Sequence, residues 1–172
     1  AWIGSVQLDQ VWLSVVVIVV LLAVLGVAFA VLQRTPRNAG STPAVVVESV
    51  ILDGTVGLYL GWVTIATAAN VAAWLTDAGF SGLGIEPEVW GVAVVIVAAL
   101  FGVATAIAGR GRLTPALALA WGLCWLAVAR LTGEPGSTSV GIAAVIAACV
   151  VIVAAAARRI VAARSGDRIV SA

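Results

Sequence analysis

Long apolar runs alternate with short polar connections along the whole chain. Each run holds about 20 residues, the length that an α-helix needs to cross the hydrocarbon core of a bilayer. The pattern therefore predicts an all-α protein, a polytopic transmembrane helix bundle with five spans. The predicted spans are residues 11–32, 55–76, 89–108, 113–131 and 140–157.

The connection at residues 42–53 is apolar but carries Glu48 and Asp53. Carboxylates are costly in the centre of a bilayer and are tolerated near its surface. Two interpretations remain open for this segment. It is either an interfacial helix or the lower end of a long second span.

Composition excludes a soluble domain. Of the 172 residues, 63% are hydrophobic and only 10% are charged, and the mean hydropathy is +1.19. The connections are too short to hold a soluble domain, so we expect residues 1–172 to form a single transmembrane bundle. The chain contains no Met and opens on Ala-Trp-Ile-Gly. We therefore expect a truncated or processed N-terminus, with upstream helices belonging to a longer protein.

Charged residues alternate in sign from one connection to the next. By the positive-inside rule, the arginine-rich connections and the C-terminus are predicted to be cytoplasmic. The absence of Lys and the prevalence of Ala and Val indicate a GC-rich bacterial genome, and hence a bacterial inner membrane. The arginines of one side are Arg34, Arg37, Arg110, Arg112, Arg158, Arg159, Arg164 and Arg168, and the carboxylates on the alternate side are Asp9, Asp77, Glu86, Glu88 and Glu134. Only Arg130 breaks this pattern, and its side chain can snorkel from the end of the fourth span to the membrane surface.

Several kinds of chemistry are missing from the sequence. There is no His, which excludes imidazole metal sites, His-ligated haem and His-based triads within this chain. No nucleotide-binding glycine motif is present. No acidic residue lies at the centre of a span, where proton or cation coupling usually needs one. We assign no catalytic residue, no metal ligand and no nucleic-acid partner, and an enzyme is the less favoured class.

The second span has two different faces at about 100° per residue. One face is aromatic and polar, which suits the lining of a cavity, and the other is small and smooth. The small face includes a GxxxG pair that permits close helix approach, either within the bundle or between copies of the chain. The aromatic face carries Thr55, Tyr59, Trp62, Ala66, Asn70 and Ala73, and the small face carries Gly57, Gly61, Thr64 and Ala68.

Asn70 is the most informative single residue of that span. An unpaired amide in hydrocarbon costs a few kcal/mol, so Asn70 must contact protein, water or a ligand. An interhelical hydrogen bond worth about 0.6–2 kcal/mol is one interpretation. A polar anchor for a ligand is the other.

Seven tryptophans divide into two groups by depth. Those near the predicted outer boundary are typical of an interfacial belt. The deeper ones offer aromatic faces on which flat apolar molecules such as tetrapyrroles and sterols bind well, although aromatic core packing explains each of them equally. The boundary group is Trp2, Trp12, Trp74 and Trp90, and the deeper group is Trp62, Trp121 and Trp125, of which the last two share one face of the fourth span.

The second span also resembles a known family. Residues 59–75, YLGWVTIATAANVAAWL, are similar to the "YLGW-ATxAN" helix of bacterial tryptophan-rich sensory proteins, which are related to the translocator protein (TspO/MBR) family. The segment AWIGSVQLDQVWLSVVVIVVLLAVL is similar to the helices that precede it, and WGLCWLAVARL resembles a later Trp-bearing helix of the family.

The resemblance implies a helical bundle with a pocket for hydrophobic ligands. The family is associated with porphyrins, haem precursors and sterols, and homodimers are usual. The sterol-recognition pattern is absent, since Tyr59 is the only tyrosine and no Arg lies within several residues of it, which disfavours a sterol. The ligand-binding positions that the resemblance implies are Tyr59, Trp62, Asn70 and Trp74, followed by Trp121 and Trp125.

Two functional hypotheses follow. The first is a membrane protein that binds, and thereby transports or senses, a flat hydrophobic ligand such as a tetrapyrrole in an aromatic-lined intramembrane pocket. Its partners would be the lipid bilayer, the ligand and a second copy of the chain. The alternative is a non-catalytic structural or accessory subunit of a larger membrane complex, with a partner on the Gly57/Gly61 face or on the fifth span.

Overall fold

Five long helices make up the described part of the protein. The computed structural model describes residues 11–34 and 43–170, and the side-chain surroundings of residues 11–34, 51 and 54–164. Each helix contains a stretch long and apolar enough to cross a membrane, which confirms the predicted five-span bundle. The predicted N-terminal segment with Trp2 and Asp9 and the connection at 35–41 lie outside the described residues. The helices are α1 (Val11–Arg34), α2 (Pro43–Asp77), α3 (Pro87–Ala108), α4 (Leu113–Thr132) and α5 (Thr138–Val170).

Two helices are longer than the predicted spans. Helix α2 begins at Pro43, a residue well suited to the first helical turn, and runs without a break to Asp77. Residues 43–53 are therefore the lower end of a long second helix and not a separate interfacial helix. Helix α5 continues past the predicted end of the fifth span at residue 157 to Val170.

The helices pack in the order α1, α2, α4, α5, α3. Helix α2 lies between α1 and α4, and α5 lies between α4 and α3, while α3 makes lesser contacts with α4 and α2. Since α1 packs mainly on α2 and α3 mainly on α5, these two helices are the ends of the series. All arginines of the described connections and of α5 from Arg158 onwards lie at one end of the bundle, which we call the arginine-rich end.

The buried residues form two hydrophobic clusters. The larger cluster joins α3, α4 and α5 through Leu119, Leu123 and Val151 and a row of alanines on α5. The smaller cluster joins α1 and α2 through Ile18 and Leu60, with Phe101 of α3 packed against it. Short alanine side chains allow α5 to approach α3 and α4 closely, as is usual for helices in a bilayer.

A short connection joins α2 to α3 at the end of the bundle opposite the arginine-rich end. The indole Nε1–H of Trp90 donates a hydrogen bond to the carbonyl oxygen of Gly82 over 3.0 Å. The rings of Phe80 and Trp90 meet edge to face with centroids 5.6 Å apart. Nearby, Ser139 of α5 donates to Glu88 of α3 over 2.5 Å, so this end is held by polar contacts between helices.

Candidate functional site

The small face of α2 packs against α4 within the chain. Gly57 lies against Thr114, and Gly61 lies against the backbone of Pro115 and Leu119. Further along, Ile65 of α2 lies against Gly122 of α4, where a Cβ would stand 2.5 Å from the isoleucine Cγ2 atom. The contacts advance in the same direction on both helices, so α2 and α4 run parallel.

This parallel packing places three tryptophans on one side of the α2–α4 pair. At about 100° per residue, Trp62 lies roughly a quarter turn from the edge of α2 that contacts α4. Trp121 and Trp125 lie roughly a quarter turn from the facing edge of α4, in the opposite rotational sense. When two parallel helices touch along one edge, a clockwise quarter turn on one helix and an anticlockwise quarter turn on the other both lead to the same side of the pair. The three tryptophans therefore lie on one side of α2 and α4. We call these three side chains the aromatic surface.

The aromatic surface is open. The exposed fractions of Trp62, Trp121 and Trp125 are 50%, 61% and 58%. The two indoles of α4 meet edge to face, with ring centroids 5.9 Å apart. Since they lie in the middle of α4 and not at its ends, a place in an interfacial belt does not account for their exposure.

The other predicted ligand residues lie elsewhere on α2. Tyr59 is 46% exposed and lies one helical turn before Trp62, on the side of α2 that faces away from α4. Trp74 lies near the end of α2, three turns beyond Trp62, and is 37% exposed. The helix packing therefore places Trp62, Trp121 and Trp125 on one side and leaves Tyr59 and Trp74 apart.

Asn70 faces α1. Its Oδ1 atom accepts a hydrogen bond from the hydroxyl of Ser14 over 3.1 Å, and its Nδ2 atom donates to the carbonyl oxygen of Ala66 over 2.9 Å. The interhelical hydrogen bond that the sequence left open is thus present. Asn70 joins α2 to α1 by a hydrogen bond and does not border the aromatic surface.

Comparison with known proteins shows to which family this chain belongs. The family model described as TSPO-like protein matches residues 1–157, which is most of the chain. This chain belongs to the TSPO-like protein family. The relation to the TspO family that the second span indicated is confirmed, and with five apolar helices the chain is a multi-pass membrane protein. Comparisons with curated proteins and with solved structures gave no significant match.

The two cavities described in this TSPO-like protein lie away from all six predicted ligand residues. One, of about 980 Å³, lies between α1, α2 and α3 at the arginine-rich end. The other, of about 310 Å³, is a groove between α3 and α5 lined by aliphatic side chains. Trp62, Trp121 and Trp125 face outward, beside the contact of α2 with α4, and a role of the six residues in ligand binding stays a prediction.

Sequence reasoning missed the larger cavity. Its signal was a pair of small residues one turn apart on each of two spans, Gly26 and Ala30 on α1 and Ala104 and Ala108 on α3. Small residues in a membrane helix usually indicate close packing. In this bundle the four small residues leave a cavity. Whether small residues produce close packing or a cavity depends on which helices are neighbours.

Proposed function

We propose that this TSPO-like protein binds a flat hydrophobic molecule of the tetrapyrrole class on the aromatic surface. The observation that supports it most is the exposure of Trp62, Trp121 and Trp125 on the same side of two parallel helices, away from the ends of their apolar stretches. The family resemblance supplies the class of ligand. The ligand enters from the bilayer, where such molecules dissolve, and no opening of the bundle is required.

Stacking provides the binding free energy. Each aromatic contact contributes about 0.5–1.5 kcal/mol beyond the burial of area, and the indole faces are already exposed. Lipid tails compete weakly for a flat aromatic face because they carry no π-system. The indole N–H groups provide hydrogen-bond donors at the aromatic surface. Transport or sensing would require this binding and a partner protein that responds to the bound ligand.

Equilibrium binding of protoporphyrin to the protein in lipid nanodiscs tests the proposal, with the porphyrin absorbance as readout. Replacing Trp121 and Trp125 by Leu should weaken binding between about fivefold and about a hundredfold, since two stacking contacts amount to roughly 1–3 kcal/mol. Both side chains are exposed, so the fold should survive. Porphyrin absorbance avoids the loss of signal that tryptophan fluorescence would suffer in these variants.

The matched control uses exposed tryptophans away from the surface. Trp12→Leu and Trp74→Leu remove the same side chain from α1 and α2 and should leave porphyrin affinity within about twofold. Asn70→Ala should also leave it unchanged, because Asn70 is bonded to Ser14 on another side of α2. Unchanged affinity in a Trp62, Trp121 and Trp125 triple Leu variant would refute the proposal.

The structural-subunit alternative loses one of the two partner surfaces named for it. The Gly57/Gly61 face is covered by α4 of the same chain. The alanine face of α5, including Ala144 and Ala155, is buried against α3 and α4, whereas the face with Ile146 and Val153 is exposed. Exposed aliphatic side chains are equally suited to lipid, so they do not favour a protein partner. A stoichiometric foreign protein on the aromatic surface after purification in mild detergent would reverse this ranking.

A further inference from the structure

The larger cavity is a cleft with an apolar interior and a basic rim. It lies between α1, α2 and α3 and reaches the turn that joins α3 to α4. Its volume of about 980 Å³ is at the upper end of the range for small-molecule sites. Phe29, Leu60 and Phe101 line the interior, and Arg34 and Arg110 line the rim. We call it the arginine cleft.

Small side chains hold the cleft open. A Cβ placed on Gly26 would meet no atom within 4 Å. Ala30, Ala104 and Ala108 also line the cleft and are exposed, so none of the residues that the structure describes covers its side between α1 and α3. Helix α1 packs mainly on α2 and α3 mainly on α5, and Phe29 of α1 lies against Gly109 at the end of α3, beside the exposed alanines. The cleft therefore opens sideways into the bilayer.

The polar groups at the rim include an excess of hydrogen-bond donors. The Nε2 atom of Gln33 is buried and has no hydrogen-bond partner among the residues that the structure describes. Arg34 and Arg110 carry guanidinium groups, which donate and cannot accept. A buried donor without an acceptor is costly, and neighbouring cations repel one another. An anionic group with several acceptor oxygens would relieve both costs.

We propose that the arginine cleft binds one anionic phospholipid of the leaflet at the arginine-rich end. The phosphate lies between Arg34, Arg110 and the amide of Gln33, and an acyl chain runs along Phe29 and Phe101 into the apolar interior. Basic pockets between membrane helices select anionic headgroups in this way. The proposal concerns a different site from the aromatic surface and does not depend on the proposed function.

A lipid fits the cleft better than a free anion does. Only the rim is basic, while the wall below it is made of Phe, Leu, Gly and Ala side chains. A free phosphate would leave that apolar space unfilled. A phospholipid fills both parts, and the lateral opening between α1 and α3 gives it a route from the bilayer without passing through water.

Native mass spectrometry of the protein in neutral detergent tests the proposal. Dioleoyl phosphatidylglycerol is titrated against dioleoyl phosphatidylcholine, and inorganic phosphate is added in a separate arm. We expect one phosphatidylglycerol to be retained, with at least tenfold preference over phosphatidylcholine. Arg34→Gln with Arg110→Gln should weaken its retention at least tenfold. Arg164→Gln, which removes the same charge from the exposed surface of α5, should have less than twofold effect.

A second variant tests the acyl-chain part of the site. Gly26→Leu puts a side chain into open space, so it should fill the cleft without disturbing packing. It should lower phosphatidylglycerol retention at unchanged charge and unchanged thermal stability. Equal retention of the two lipids, or normal phosphatidylglycerol retention in the double arginine variant, would overturn the proposal. Competition by millimolar inorganic phosphate, with retention unaffected by Gly26→Leu, would assign the site to a free anion and overturn it as well.

Discussion

Ser14 of α1 and Asn70 of α2 are joined by a hydrogen bond of 3.1 Å from the serine Oγ to the amide Oδ1. Ser14 is only 1% exposed, and its single hydroxyl proton is shared with the carbonyl oxygen of Val11 at 2.7 Å. Since α1 is at one end of the helix series and packs mainly on α2, this bond is a polar link between α1 and the rest of the bundle.

Removing this link should loosen α1. We expect Ser14→Ala and Asn70→Ala each to lower the free energy of unfolding, with a coupling of about 0.6 kcal/mol and at most about 1.7 in a double-mutant cycle. The free energy of unfolding of each variant is measured in mixed micelles of mild detergent and dodecyl sulfate. Additive effects of the two substitutions would show that the hydrogen bond contributes nothing to stability.

The contact between α2 and α4 should be sensitive to the size of one residue. Gly61→Ala would place a methyl group against the backbone of Pro115 and Leu119, and such overpacking typically costs about 1–3 kcal/mol. Gly54→Ala is the matched control on the same helix, because a Cβ there meets nothing within 4 Å. It should be neutral or stabilising by up to about 1 kcal/mol. Thermal unfolding in detergent measures both variants, and equal stability of the two would contradict this packing.

The spans could be predicted from the sequence because hydropathy and length are direct requirements of a bilayer. The sequence could not predict the course of residues 43–53 or the extension of α5 to Val170. Both segments mix charged and apolar residues, and such a pattern suits either a helix that continues into water or one that turns along the membrane surface. Only contacts with the rest of the chain decide between these.

The direction in which Trp62, Trp121 and Trp125 face could not be predicted either. In a soluble protein, an apolar face turns inward, but in a bilayer the lipid-facing and protein-facing sides of a helix are both apolar. The GxxxG pair Gly57 and Gly61 correctly indicated a close helix contact, yet not its partner. Once α4 is known to lie there, the outward direction of the tryptophans follows from the helical period.

The connection between α2 and α3 should depend on one indole N–H group. Trp90→Phe keeps an aromatic ring beside Phe80 but removes the donor to the Gly82 carbonyl oxygen. We expect faster amide hydrogen exchange at residues 79–85 and little change in the helices. Trp74→Phe, at the same end of the bundle, should leave exchange in the connection unchanged. Equal protection in Trp90→Phe and the parent protein would mean that the hydrogen bond does not hold the connection.

The turn between α3 and α4 should tolerate no side chain at Gly111. This glycine has a φ angle of 78°, in the left-handed region that favours glycine. A Cβ there would also lie 2.8 Å from the carbonyl carbon of Arg158 and closer still to the backbone of Arg159. Gly111→Ala should therefore destabilise the protein by more than 1 kcal/mol, measured by thermal unfolding. Gly84→Ala is the control, since Gly84 has a φ of 77° but nothing within 4 Å of its Cβ position, so it reports the backbone cost alone.

The orientation in the membrane should follow the arginines. Arg110 and Arg112 lie in the turn after α3, and α5 carries Arg158, Arg159 and Arg164 beyond its most apolar part. By the positive-inside rule we expect this end, and with it the C-terminus, to face the cytoplasm. A single cysteine introduced at Ser81, between α2 and α3, with Cys124 and Cys149 replaced by Ala, should react with a membrane-impermeant maleimide in intact cells. A cysteine at Arg164 should react only after the cells are permeabilised, and the reverse pattern would invert the predicted topology. An inverted topology would also place the arginine cleft in the outer leaflet, so the labelling result fixes which leaflet must supply its lipid.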